Sequence, residues 1–82
     1  MHLIVKLFGP QAAAADTQQI ELELDGDDVR SAELRAALAK ACPTIAATIP
    51  GSRLAVNHQL VCDQHVIRHG DEVALIGMVS GG

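Results

Sequence analysis

The chain predicts an α+β domain: a mixed sheet of four or five strands with one main helix across one face. Three observations carry that expectation. Residues 20–24, IELEL, alternate strictly between apolar and acidic side chains, as a strand with one buried face must. Residues 29–43, VRSAELRAALAKACP, repeat apolar residues at helical spacing and stop at a proline. The length, 82 residues, leaves room for a single core.

The elements follow in chain order. Residues 2–8, HLIVKLF, read as an internal strand because both faces carry apolar groups. Leu3, Val5 and Leu7 point one way and Ile4 and Phe8 the other. Gly9 and Pro10 then mark a turn, and GPQAAAADTQQ has no apolar stripe, so it reads as a loop. IELEL closes a hairpin with the first strand. DGDD (25–28) is a polar break. The helix beyond it presents Leu34, Leu38 and Ala41 on one face, joined by Val29 or Ala37. Asp28 or Ser31 is placed to cap its start, and Pro43 ends it. Residues 43–52 read as a connector with prolines at both ends.

Strand material resumes with RLAVN and QLVC around a tight turn at Asn57-His58, since asparagine tolerates positive φ. HVIRHGD ends in the turn Gly70-Asp71. EVALIGM (72–78) is the last strand, with Val73 and Leu75 on one face and Ala74 and Ile76 on the other. A last strand lying parallel to the first needs a crossover, which the helix supplies with the usual right hand. That order is the β-grasp arrangement. One helix covers one sheet face, so the other face, carrying Ile4, Phe8, Ala74, Ile76 and the charge of Lys6, meets solvent or a partner.

Composition narrows the function. Apolar residues make up 49% of the chain, yet Phe8 is the sole aromatic. The core is therefore aliphatic, and stacking of bases on aromatic platforms is excluded. A net charge of −4 repels phosphate backbones and anionic lipid, so neither nucleic acid nor membrane is expected as a partner, and a basic protein is favoured. No apolar stretch approaches the roughly 20 residues of a membrane span, and MHLIVKLFG is too short and strand-like for a signal peptide. Cys42 and Cys62 make no disulfide framework. A cytoplasmic protein with reduced thiols is expected.

Residues 54–82, LAVNHQLVCDQHVIRHGDEVALIGMVSGG, resemble the MoaD family, small subunits of molybdopterin synthase and ubiquitin-like sulfur carriers related to ThiS. AVN before a short strand at LV, the HGDEVA turn and strand, and the terminal VSGG carry the likeness. The first strand LIVKLFG and the helix AELRAALA fall at matching places. Family members usually have a proline pair just before V[ST]GG, where this chain has Gly77 and Met78.

The resemblance implies a β-grasp domain over 1–77 and a flexible tail over 78–82. It also implies a carboxylate on Gly82 that a MoeB-like E1 adenylyltransferase activates with ATP. A sulfurtransferase step then gives a thiocarboxylate, whose sulfur goes to a cyclic pterin phosphate in a MoaE-like large subunit, within a heterotetramer. The chain would be a non-catalytic carrier subunit, with no tightly bound cofactor. Leu60, Ile76 and Val79 fall where the family packs against the large subunit, and Met78 and Ser80 complete that stretch. The competing reading puts Leu60 and Ile76 in the domain's own core.

The chemistry suits such an ending. A carboxylate is a poor acyl donor until adenylation supplies a leaving group that sulfur can displace. Gly81 and Gly82 lack a Cβ and can thread a channel too narrow for side chains. Met78 to Gly82, extended, reach roughly 16 Å at ~3.3 Å per residue. Rival readings are a carrier for thiazole or cysteine synthesis, a ubiquitin-like modifier joined to lysines through Gly82, and a binding module with an inert end. His58, Cys62, His65 and His69 match no standard zinc spacing, so no metal is expected, and DGDD lacks the ligand order of a calcium loop. Arg30, Arg35, Arg53 and Arg68 read as surface charges.

Overall fold

In this computed structural model, the described residues are 1–77; Met78, Val79, Ser80, Gly81 and Gly82 lie outside them. Strand β1 (His2–Lys6) buries Leu3 and Val5 and leaves His2, Ile4 and Lys6 outward. Strand β2 (Gln19–Glu23) pairs antiparallel with it, Leu22 opposite Leu3 and Ile20 opposite Val5. The IELEL alternation thus becomes one buried and one solvated face.

Between them the structure corrects the expected loop: Gly9–Ala15 form helix α1. Proline is favourable at the start of a helix, where its missing N–H bonds nothing anyway. The alanines carry the best intrinsic propensity, and Asp16 closes the turn in the left-handed conformation, φ 57°. The helix shows no stripe because Gln11 is its one buried residue, with Ala12 and Ala15 packing only partly against the core.

Strand β3 (Asp28–Arg30) takes Val29, expected in the helix, into a small antiparallel pair with β6 (Val66–Arg68). Helix α2 (Ser31–Ala41) follows at once. Neither Asp28 nor Ser31 caps it. Its first N–H groups, on Ser31 and Ala32, donate to the carbonyls of His65 and Asp63 at 2.9 and 3.1 Å, and Glu33 Oε1 accepts from the Arg30 N–H at 3.3 Å. The open donors of the helix start are met by a loop distant in sequence. Arg35 anchors the same loop through Asp63, and Arg30 donates to the Gln64 carbonyl at 3.0 Å; two of the supposed surface charges are tethers.

Leu34 and Leu38 are fully buried and Ala37 half-buried, whereas Ala41 is exposed. The supposed connector is a 3₁₀ helix, Pro43–Gly51, that drives Ile45 and Ile49 into the core. Burying each is worth about 1.5–3 kcal/mol, so this segment holds the fold as well as linking it.

Strands β4 (Ser52–Val56), β5 (Gln59–Leu60) and β7 (Val73–Gly77) complete a five-stranded sheet in the order β2-β1-β7-β4-β5. β7 runs parallel to β1 and antiparallel to β4. Leu54 and Leu75, paired across that strand boundary, are both buried under α2 and the 3₁₀ segment. This is the expected mixed sheet with one main helix, the ubiquitin-like β-grasp. Among the described residues, no helix is long and apolar enough to cross a membrane.

A polar clamp fixes the entry to β7. Asn57 and His58 turn between β4 and β5 with φ of 51° and 71°, the left-handed pair of a tight hairpin. The Asn57 amide donates to Asp71 Oδ1 at 3.2 Å and accepts from the Glu72 N–H at 3.0 Å. Its own N–H donates to the Glu72 carbonyl at 2.8 Å. Asp71 Oδ2 accepts from the Arg68 N–H at 2.9 Å, and Gly70 supplies the φ of 92° that the turn demands. The Arg68 N–H, and then the Asn57 amide, hold the Asp71 carboxyl below its usual 3.8.

A depressed folded-state pKa stabilises above the unfolded value, and that stability is lost as pH falls through the folded one. Asp71→Ala is therefore expected to lower stability in urea at neutral pH, by at most about 1 kcal/mol because solvent screens the site. The deficit should shrink as the pH is taken below the ordinary carboxylate range. A deficit independent of pH would show that the carboxylate charge is not what the clamp uses.

Candidate docking face and tail root

The sheet face away from α2 collects the outward residues of four of its strands. Ile4 and Lys6 come from β1, Ala74 and Ile76 from β7, Arg53 and Ala55 from β4, and Leu60 from β5. The register brings them together: Lys6 beside Ala74, Ala74 beside Ala55, Ala55 beside Leu60, and Ile76 beside Arg53. Phe8 is 55% exposed, Leu60 47% and Ile4 39%, and Ile76 is half-buried. Leu60 and Ile76 thus lie at the surface and not in the core. A hollow of about 410 Å³ is lined by Phe8, Ala55, Leu60, Ala74 and Ile76, with Lys6 and His58 at its margin. Exposed large apolar groups gathered on one face make this the candidate docking surface.

Gly77 ends β7 at the rim of this face, one residue before Met78. The expected site residues Met78, Val79, Ser80, Gly81 and Gly82 lie beyond the described chain, and only Leu60 and Ile76 of that set can be placed.

On the other side of Gly77 lies a second cavity, about 530 Å³, between α1 and the 3₁₀ segment. It is walled by Phe8, Pro10, Ala47 and Ile76 around the polar residues Gln11, Thr48 and Ser52, and none of its lining residues is charged. Gln11 is 5% exposed. Its Nε2 donates to Thr48 Oγ1 at 3.0 Å and to Ser52 Oγ at 2.7 Å. Those hydroxyls donate in turn to the carbonyls of Ile45 and Thr48 at 2.7 and 2.8 Å. Both hydroxyl protons are therefore committed to the main chain, and the hydroxyl oxygens are left as acceptors. That fixes which end of the amide faces them.

The amide oxygen is left buried with no partner among the described residues. A β carbon at position 77 would lie 3.3 Å from it, closer than most carbon contacts. Glycine here, where the resembled family carries proline, thus has a local cause: Gln11 fills the space. Sequence reasoning missed Gln11, because one glutamine in an alanine run carries no pattern.

The remaining candidates do not converge. His58 Nε2 lies 3.1 Å from a Glu72 carboxylate oxygen at the edge of the docking face. His65 offers its carbonyl to α2, Cys62 is exposed, and Cys42 is half-buried at the end of α2. Among the described residues, no three His, Cys, Asp or Glu side chains are grouped to hold a metal ion.

The fold has close counterparts. Small archaeal modifier protein 1 of Haloferax volcanii superposes with a TM-score of 0.82 at 23% identity, over 95% of this chain and 98% of that one. A protein–protein complex of subunits 1 and 2 of molybdopterin-converting factor from Helicobacter pylori 26695 contains a chain matched at TM-score 0.69 and 23% identity, over the whole of both chains. No curated protein matches in sequence. Residues 5–82 match the ThiS family. With nearly its whole length inside that match and a ubiquitin-like β-grasp sheet beneath it, this chain belongs to the ThiS family of MoaD/ThiS-like proteins.

Proposed function

We propose that this chain is a sulfur carrier that works through its terminal glycine, as the small subunit of a molybdopterin synthase. The observation that carries the reading is the family match running through the last residue, joined to an apolar face beside the strand from which the tail departs. The likeness to a chain from a two-subunit molybdopterin-converting factor complex supports the same assignment.

In this reading the Gly82 carboxylate attacks the α-phosphate of ATP on a MoeB-like activating enzyme, and pyrophosphate leaves. The outer sulfur of a sulfurtransferase persulfide then attacks the acyl carbon, AMP departs from the tetrahedral intermediate, and a second thiol cleaves the resulting acyl disulfide to release the thiocarboxylate. The resulting thiocarboxylate delivers its sulfur to a cyclic pterin phosphate held by a MoaE-like large subunit. Phe8, Leu60 and Ile76 seat the domain on that partner, and Met78, Val79 and Ser80 line the way for Gly81 and Gly82 into the partner's site. Activation and catalysis belong to the partner enzymes, and the β-grasp body sets only the position and direction of the tail.

Two measurements test this. Intact mass of the protein isolated with its activating system should show one oxygen replaced by sulfur, and deletion of Gly82 should abolish that change while the amide spectrum of the domain stays folded. Conjugates to lysines of larger proteins would favour a modifier instead, and transfer of sulfur only to a thiazole or cysteine pathway would favour the ThiS-like alternative.

Leu60→Asp should leave stability nearly unchanged, since the side chain is exposed. It should weaken binding to the large subunit roughly tenfold or more, as expected for an apolar anchor worth over 1 kcal/mol, measured by calorimetry. Unaltered binding would remove the outer face from the interface.

A further inference from the structure

The cavity at Gly77 is lined by Gln11, whose buried amide oxygen has no partner among the described residues, and the proposed chemistry does not use it. Gln11 Oε1 cannot exchange places with Nε2, because the Thr48 and Ser52 hydroxyls have given their protons to main-chain carbonyls. No neighbour in the described chain pairs with it. A buried carbonyl without a donor is costly, and a suitable incoming donor recovers that cost. The walls say what kind of group would bring one. Phe8, Pro10, Ala47 and Ile76 are apolar, and the lining carries no charge, so an ammonium or guanidinium would lose its hydration without an ionic partner. A ring with a single neutral donor at its edge fits both demands.

We propose that this cavity receives a tyrosine or tryptophan side chain of the protein that engages the tail, with Gln11 Oε1 accepting its O–H or N–H. The proposal rests on the reading of the chain as a carrier docked by its outer face. Phe8 and Ile76 line both the outer hollow and this cavity, so a partner seated on the one is continuous with the other. Gln11 Oε1 lies against Gly77, 3.3 Å from where a β carbon would stand, and is closed to solvent in the free domain, so the ring must part these two residues as it enters. Gln11 would then report that the partner is seated before the tail is committed, which makes it a specificity residue and not a catalytic one.

The test uses the full chain, isotopically labelled, titrated with p-cresol as the side chain of tyrosine and with p-methylanisole, its methyl ether, in which the donor is blocked. p-Cresol should shift the Gln11 side-chain amide and the Gly77 and Ala47 backbone amides. It should bind roughly two- to tenfold more tightly than p-methylanisole, the contribution of one neutral hydrogen bond. In Gln11→Met, which keeps the volume and loses the acceptor, the two probes should bind alike. If that variant does not fold, the comparison of the two probes on the unaltered chain still decides. Equal binding of both probes to the unaltered chain, or no shift at Gln11 from either, overturns the proposal. Neither titration needs ATP or an activating enzyme, so failure here is distinct from failure to form a thiocarboxylate.

Discussion

The parallel pairing of β1 with β7, Val5 against Val73 and Lys6 against Ala74, is the constraint from which the rest of the architecture follows. Two parallel neighbours at opposite ends of a chain cannot be joined by a hairpin, so the chain must cross the sheet between them. α2 makes that crossing and buries Leu34 and Leu38 as it does so. Once the last strand is inserted between β1 and β4, the chain leaves the sheet from its interior and not from a flank. Gly77 ends that interior strand, paired there with Ser52 of β4.

The same topology leaves one face open. A single crossover helix, helped by the 3₁₀ segment, covers one side of five strands, and among the described residues no second layer covers the other. The edges are poor places for another strand to add. β2 presents Glu21 and Glu23 outward, and β5 is only two residues long, both of which discourage edge pairing. What remains for a partner is the face itself, where Ile4, Phe8 and Leu60 stay in water. Their exposure adds nothing to folding, and covering them on association releases the hydration cost that the free domain carries.

Much of this was legible in the sequence, and the parts that were not share a physical reason. IELEL and the Leu34–Leu38 spacing declare themselves because one face of each is buried along its length. α1 hides because its buried residue is a glutamine, recognised only once Thr48 and Ser52 stand beside it. β3 and β6 are three residues each, too short for alternation to register. The start of α2 invites an Asp28 or Ser31 cap by local rules, yet carbonyls some thirty residues away supply the acceptors. Of the site, the sequence left Leu60 and Ile76 open between a partner-facing surface and the core, and the structure puts both at the surface. The sequence was silent on the cavity behind Gly77, which three separate segments must assemble.

Two short signals show how resemblance and physics meet. AVN and HGD read in the sequence as two separate turns. In the folded chain they are the two halves of one clamp, with Asn57 bonding both Asp71 and Glu72 across the turn that feeds β7. Gly77 is the opposite case, a departure from the pattern. Proline would stiffen the tail by fixing φ, but at this position added atoms would press on Gln11, whose amide is already held by two hydroxyls. Stiffness at the tail root and a buried amide beneath it compete for the same space, and this chain has kept the amide.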